Sequence, residues 1–361
     1  MKKDLMFFTD PHIGKVLVSN TTPASRKRLT ARLTESAVEQ TNSQKNKGGQ
    51  SVCGGDLFDK FDNPASVVRD GIRVASKCAL VLGGNHDVEN SAGSYSSLNL
   101  VDDTLNSDLC SPVVMPTYNE KSCHRTTVKG VRIDSVPHHS TQQLFDETLK
   151  SLLENPKSTV PMVLLLHCNY DCDMATNDTS LNLTRDVAAQ LLNTYDYILI
   201  GHDHNPKKDF DGRLIVMGSI HPTCFGDCHV DHKIYGFSVG DDSITEEVVW
   251  SAADKYAEYE TDDDISLWEP LPEGYEFVRV TGQMTPEQVP QLAKWVRDAW
   301  KRESVFAIRV DAVVVAERSE ADGGNCGQRL SFRDTLSRKL ADSPELRDVW
   351  EMVTGEMGDA E

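Results

Sequence analysis

The 361-residue chain lacks any apolar run of 18 residues, so no membrane-spanning helix is expected. It also lacks a signal-peptide core. Two lysines open the chain, but only Leu5, Met6, Phe7 and Phe8 form an apolar run before Thr9 and Asp10, and a cytoplasmic protein is expected. No internal repeat or extended low-complexity tract appears, which argues against a solenoid. A disulfide framework is not supported either: the nine cysteines are odd in number, scattered and without a secretion signal, as reduced thiols would be. Cys168/Cys172 and Cys224/Cys228 have three residues between them, wider than the tight pairs of structural zinc sites, and read as ordinary buried or half-buried thiols. An excess of basic residues is missing too. The net charge of −19 counts, at first sight, against a partner as anionic as DNA.

The composition, 39% apolar and 26% charged, is that of a globular protein of one large domain or two modest ones. Its acidity is uneven. Residues 1–240 hold 24 Lys and Arg against 28 Asp and Glu, whereas residues 241–361 hold 13 against 28. Residues 241–280 alone hold 2 against 13. A nearly neutral body therefore precedes an acidic segment, and the global charge does not exclude a nucleic-acid substrate. It implies weak binding by this chain alone, with a basic partner or a local patch supplying the phosphate contacts.

Five times in the body a short apolar run ends abruptly in polar residues. Leu5–Phe8 leads to Asp10-Pro11-His12, Ser51–Cys53 to Gly54-Gly55-Asp56, and Ala79–Leu82 to Gly83-Gly84-Asn85-His86-Asp87. Met162–Leu166 leads to His167, and Tyr197–Ile200 to Gly201-His202-Asp203-His204. Such runs read as strands buried on both faces. Amphipathic stretches at about 24–41, 64–77, 141–154 and 184–193 read as helices between them, so an α/β sheet is expected, with the polar clusters beyond its carboxyl edge. Thr126–Ile133 reads as a hairpin turning at Lys129-Gly130, and 213–218, 232–239 and 244–250 as further strands of a second sheet layer.

After an acidic stretch at 253–274, Glu276–Val280 reads as a strand, Pro286–Trp300 as a helix and Val305–Val315 as a strand. Phe332, Leu336, Leu340, Leu346, Val349, Trp350 and Val353 then recur at helical spacing, interrupted by Pro344, as two short amphipathic helices.

The polar clusters supply Asp10, His12, Asp56, Asn85, His86, His167, His202 and His204. A single histidine at a strand end is more often a hydrogen-bonded structural residue, and Gly-Asp pairs are common in turns. Five clusters in succession, each directly after a buried run, point instead to a site. Carboxylate, amide and imidazole donors without a thiolate suit Mn²⁺, Fe or Zn²⁺ better than Ca²⁺. Eight such residues exceed the needs of one four-coordinate metal, while two metals sharing a carboxylate would use seven.

These motifs match, in full and in order, the signature of the calcineurin-like metallophosphoesterases, which the chain resembles. The resemblance implies a four-layer αββα sandwich and two divalent ions, Mn²⁺ being the metal expected. Asp10, His12 and His204 would hold one ion, Asn85, His167 and His202 the other, and Asp56 would bridge them. Two ions about 3.5–4 Å apart acidify a bridging water and stabilise both oxygens of an in-line displacement. His86, left without a metal, is the candidate general acid or leaving-group donor. Asp87 orients a neighbouring group or caps the loop.

Within that superfamily Asp10-Pro11-His12-Ile13-Gly14 and Gly55-Asp56-Leu57-Phe58-Asp59 are similar to motifs of SbcD-type DNA-repair exonuclease subunits. So are Ile215–Ser219, Phe225-Gly226-Asp227 and Lys233–Phe237, whereas the Arg-Gly of Ser/Thr protein phosphatases is replaced by Lys60-Phe61. Some members carry a histidine where Asp59 stands, and that group is absent here. This resemblance implies a nuclease domain at 1–252, an acidic linker at 253–274, an αβ capping domain at 275–317 and a helical tail at 318–361. The tail would dock on an SbcC-type coiled-coil ATPase, and the subunit would form a homodimer acting on DNA. The alternative is a small-molecule phosphodiesterase or phosphatase on the same core.

Overall fold

The computed structural model describes residues 4–17, 19–88, 95–106, 112–116, 120–172, 181–261, 265, 268–315 and 329–339. The chain divides into two compact units. One comprises Met1–Lys15, Ala31–Thr223 and Val230–Ser251, the other Val16–Thr30, Cys224–His229 and Ala252–Glu361. Two short stretches of the expected 1–252 domain thus belong with the second unit.

The first unit is built on two six-stranded sheets. In one, the order is Ser243–Trp250, His232–Ser238, Leu5–Phe8, Gln50–Cys53, Cys78–Leu82 and Val113–Val114. In the other it is Lys207–Asp209, Leu214–Val216, Tyr197–Gly201, Met162–His167, Val131–Val136 and His124–Val128. Both sheets have a parallel centre. Leu5–Phe8 pairs in parallel with Gln50–Cys53, and Tyr197–Gly201 with Met162–His167. Parallel pairing carries the ends of these strands to one edge of each sheet, which collects the polar clusters that follow them.

Side-chain alternation explains the layers. Leu5 and Phe7 join Leu165, Leu199 and Ile215 in the core between the sheets. Met6 and Phe8, one residue out of phase, pack on the opposite face with Ala37, Val74 and Val101 from the helices Pro23–Asn46, Ala65–Ala75 and Ser97–Leu105. Leu164, Leu166 and Ile200 likewise meet Phe145, Leu149 and Leu191 of the helices Gln142–Leu153 and Arg185–Leu191. Helices, two sheets and helices make the αββα sandwich that the sequence led us to expect. The hairpin turns where its sequence places it, with Lys129 and Gly130 both at positive φ.

The second unit contains a parallel sheet of Tyr256–Glu260, Phe277–Thr281 and Ala307–Val310 and the helix Val289–Ala299. Residues 256–260, expected in an acidic linker, are therefore a strand: Lys255 donates to the Gly274 carbonyl and Thr261 caps the other end on Thr281. The acidic triplet Asp262–Asp264 lies outside the described residues. The strand expected over 305–315 is two, Ala307–Val310 and Val313–Val315. The helix Phe332–Lys339 follows, and its Phe332 and Leu336 are buried in this unit's core beside Val296. Those two apolar residues pack within the unit rather than forming a docking face, while Leu340, Leu346, Val349, Trp350 and Val353 lie outside the described residues. Among the described residues no helix is long and apolar enough to cross a membrane.

Candidate active site

Four of the eight candidate residues leave their strands through an uncommon backbone conformation. Asp10, His12, Asp56 and His202 have φ of 52°, 42°, 49° and 95°. Non-glycine residues in such conformations cost about 1–3 kcal/mol each and persist where surrounding contacts hold them. The glycines between them are required by space. A Cβ on Gly84 would lie 2.1 Å from Asp56 Oδ1, and one on Gly55 would lie 2.0 Å from His167 Nδ1.

Seven of the eight residues converge as two groups with Asp56 between them. Asp10, His12 and His204 offer ligand atoms within 4.8 Å of one another, and so do Asp56, His167 and His202. Asn85 belongs with the second group, its Oδ1 3.1 Å from His167 Nε2 and 2.9 Å from His202 Nδ1. Asp56 reaches both, with Oδ2 3.7 Å from His12 Nε2 and Oδ1 3.4 Å from His167 Nε2. Asp10, His12, Asp56 and His167 form a buried floor, while His86 is exposed and opens the site to solvent.

The chemistry of these atoms demands a cation. Asp10 Oδ2 accepts from Thr9 Oγ1 at 2.5 Å and from His202 N at 3.0 Å. Asp10 Oδ1 is buried without a hydrogen-bond partner, 3.8 Å from His12 Nε2 and 3.9 Å from His204 Nε2. In the second group the His167 Nδ1–H donates to the Gly54 carbonyl at 3.0 Å. Its Nε2 therefore faces Asp56 Oδ1 and Asn85 Oδ1 with a lone pair unless it takes a second proton. Burial opposes that proton, yet the Asp56 carboxylate outweighs burial and pushes the His167 pKa up to about 9. Burial acts against ionisation of Asp56, and His167 and His12 hold it well below the usual carboxylate range. Buried carboxylates facing imidazole nitrogens call for positive charge, which the second proton of His167 supplies and a bound divalent ion would supply in its place.

A family model of the calcineurin-like phosphoesterases matches residues 4–206, more than half of the chain. The chain belongs to that family. This phosphoesterase is also similar to two solved structures. One is a novel archaeal phosphodiesterase, at 10% identity over 68% of this chain and 98% of that one, with a TM-score of 0.34. The other is a putative 5'-nucleotidase from Staphylococcus aureus, at 13% identity over 68% of this chain and 52% of that one, with a TM-score of 0.38. No curated protein sequence matches it significantly. The family hydrolyses phosphoesters with divalent metals, and the grouped donors of this phosphoesterase are chemically suited to them.

His86 lies at the rim of the first group, where it, His12 and Asp59 offer ligand atoms within 4.8 Å of one another. Its Nδ1–H donates to the Asp59 carbonyl at 2.8 Å, its backbone N–H donates to Asp56 Oδ1 at 2.9 Å, and its ring meets His12 edge-on at 4.9 Å. That leaves Nε2 on the open side. Asp87 accepts from the amides of Leu57, Phe58 and Gly84, so it ties the second polar cluster to the third. Burial and the Asp56 carboxylate raise its pKa to about 7, against the pull of those amides.

Several neighbours carried no clear sequence signal. Thr9 holds Asp10, and Thr223 Oγ1 lies 3.0 Å from His204 Nδ1. The Asp59 carboxylate is 3.4 Å from His12 Nδ1 and 2.9 Å from Lys15. Burial, then the charge of His167, lowers the pKa of His138 to about 3, so it stays neutral beside the second group. His221 is buried and hydrogen-bonded to the Pro222 carbonyl with its ring against Trp250. His139 is structural, bonded to the Pro137 carbonyl and to Thr148.

Proposed function

We propose that this phosphoesterase is the cytoplasmic nuclease subunit of a DNA-processing machine. It cleaves DNA phosphodiesters with two Mn²⁺ ions, forms a homodimer and works with an SbcC-type coiled-coil ATPase. The observation that carries this is the pairing, in one chain, of a complete mixed O/N donor set with a following αβ unit. That unit has the strand–helix–strand order of Phe277–Thr281, Val289–Ala299 and Ala307–Val310.

Asp10, His12 and His204 would hold one ion, Asn85, His167 and His202 the second, and Asp56 both. When bound, divalent ions supply Lewis acidity and lower the pKa of water to near neutrality. The chain's own residues do the rest. Thr9, Gly54 and Thr223 orient the donors, and Asp87 keeps the loops of Asp56 and Asn85 in register. His86, its Nδ1–H fixed on a carbonyl, would give the Nε2–H proton of its doubly protonated ring to the oxygen that departs.

Purified protein with Mn²⁺ is expected to degrade single- or double-stranded DNA, alone or with its ATPase. His86→Ala is expected to keep its metal content and lose about 10²–10⁴-fold in turnover. Hydrolysis of nucleotides or aryl phosphodiesters with DNA left intact would instead assign a small-molecule phosphodiesterase.

A further inference from the structure

The second unit contains a cavity of about 590 Å³ that the phosphoesterase chemistry does not use. Its lining combines two chemistries. Trp268 and Trp295 supply aromatic surface, and Lys294, Lys301 and Arg302 supply positive charge. The rings are held firmly. Trp295 is nearly buried and its Nε1–H donates to the Glu269 carbonyl at 3.1 Å. Trp268 leans on Trp295 and Tyr259, with centroids 5.2 and 5.1 Å away, and remains half-exposed. It is an indole platform whose position is set from behind.

The cations are available. Lys301 pairs with Asp298 and Arg302 with Glu273, both exposed pairs of the kind that exchange readily for another anion. Lys294 is exposed and acts on Asp298 of the same helix through its charge, without a salt bridge among the described residues. In a chain of net charge −19, three cations against Asp298 and the Glu273 paired with Arg302 leave this lining net positive, a local site for an anion.

We propose that this cavity binds a nucleotide unit of single-stranded DNA, the base stacked on Trp268 and the phosphate met by Lys294, Lys301 and Arg302. Resting on the nuclease assignment above, it identifies the local basic patch that so acidic a subunit needs. A bare phosphate has no use for two indoles, and an apolar ligand has no use for three cations. Duplex DNA keeps its bases stacked on one another, so only an unpaired base reaches the ring. The volume is that of an ordinary small-ligand site, sufficient for one nucleotide.

The test uses the full chain in EDTA, so that nothing is cleaved, with fluorescently labelled oligothymidylate, a blunt duplex and dTMP as probes. Wild type is expected to bind the oligothymidylate at least tenfold more tightly than the duplex or dTMP, with quenching of tryptophan fluorescence. Trp268→Ala should weaken binding about tenfold or more, with Trp268→Phe restoring much of it. Lys294→Glu, on an exposed position that does not threaten folding, should weaken binding and flatten its salt dependence. Lys150→Glu, the same charge change on the exposed face of another helix, should change binding by less than about twofold. Equal weakening by Lys294→Glu and Lys150→Glu, or no effect of either Trp268→Ala or Lys294→Glu, would overturn the proposal. So would dTMP binding as tight as that of the strand. DNA cleavage by wild type with binding unaltered in the variants would remove the cavity's role and leave the nuclease assignment standing. Trp268-dependent strand binding without any DNA cleavage would do the reverse.

Discussion

Replacing Thr9 by valine removes one hydroxyl from beside a buried carboxylate and little else. That hydroxyl donates to Asp10 Oδ2 at 2.5 Å, the short distance of a charge-assisted bond, and the His202 amide donates to the same oxygen at 3.0 Å. With Oδ2 so occupied, Oδ1 is left bare towards His12 and His204. A hydrogen bond to a charged acceptor contributes about 1.5–3 kcal/mol. At about 1.4 kcal/mol per tenfold, that converts to a factor of about 10–100, the loss in metal affinity typical when a partner that orients a ligand is removed. Titration with Mn²⁺, following the free ion by electron paramagnetic resonance, resolves the effect. Thr9→Val is expected to weaken one class of site by about 10–100-fold and to shift the His167 class by less than about threefold. Thr223→Val, which removes the partner of His204 Nδ1, should weaken the same class as Thr9→Val. Unchanged affinity in Thr9→Val would refute the idea that occupying Oδ2 is what presents Oδ1.

Two further perturbations probe the frame. Gly84→Ala places a Cβ 2.1 Å from Asp56 Oδ1 and 2.5 Å from its backbone nitrogen, so the loop must move; metal binding should be lost while circular dichroism stays near that of wild type. Asp134 accepts from Arg125, Arg132 and Tyr195 at 2.7–3.1 Å and is fully buried. Burial works against its ionisation, and Arg132 and Arg125 outweigh burial to lower its pKa. A folded pKa below the unfolded value of about 3.9 means stability that is fully present above pH ~4 and lost as pH falls through the folded value. Asp134→Ala should therefore destabilise at pH 7 by about 1.5–3 kcal/mol, with the gap to wild type narrowing in urea melts taken below pH ~4. A gap independent of pH would count against an ionised Asp134.

Much of this was legible in the sequence because burial on both sheet faces leaves a plain mark: Leu5–Phe8 and Met162–Leu166 are apolar throughout and then stop at a polar residue. The Lys129-Gly130 turn shows for a similar local reason, since Gly130 takes a positive φ without steric cost between two strand-like runs. Thr223 and Asp59 were not legible as partners of the site, because hydroxyls and carboxylates in loops have many uses and their contacts are settled only by the fold. The strand Tyr256–Glu260 was hidden by its acids. Glu258 and Glu260 face outward at an edge, where net charge resembles a linker and backbone pairing with Phe277–Thr281 decides otherwise. Phe332 and Leu336 show the limit of helical periodicity. It reveals an apolar face, but whether that face meets the chain's own core or another protein depends on what lies beneath it.

Metal stoichiometry measured by equilibrium dialysis against Mn²⁺, with elemental analysis of the protein, bears most directly on the site. Wild type should bind two ions per chain, His204→Ala one, and Asp56→Ala neither tightly, because Asp56 faces both groups. A single ion in wild type, or two retained by Asp56→Ala, would contradict a shared two-metal centre.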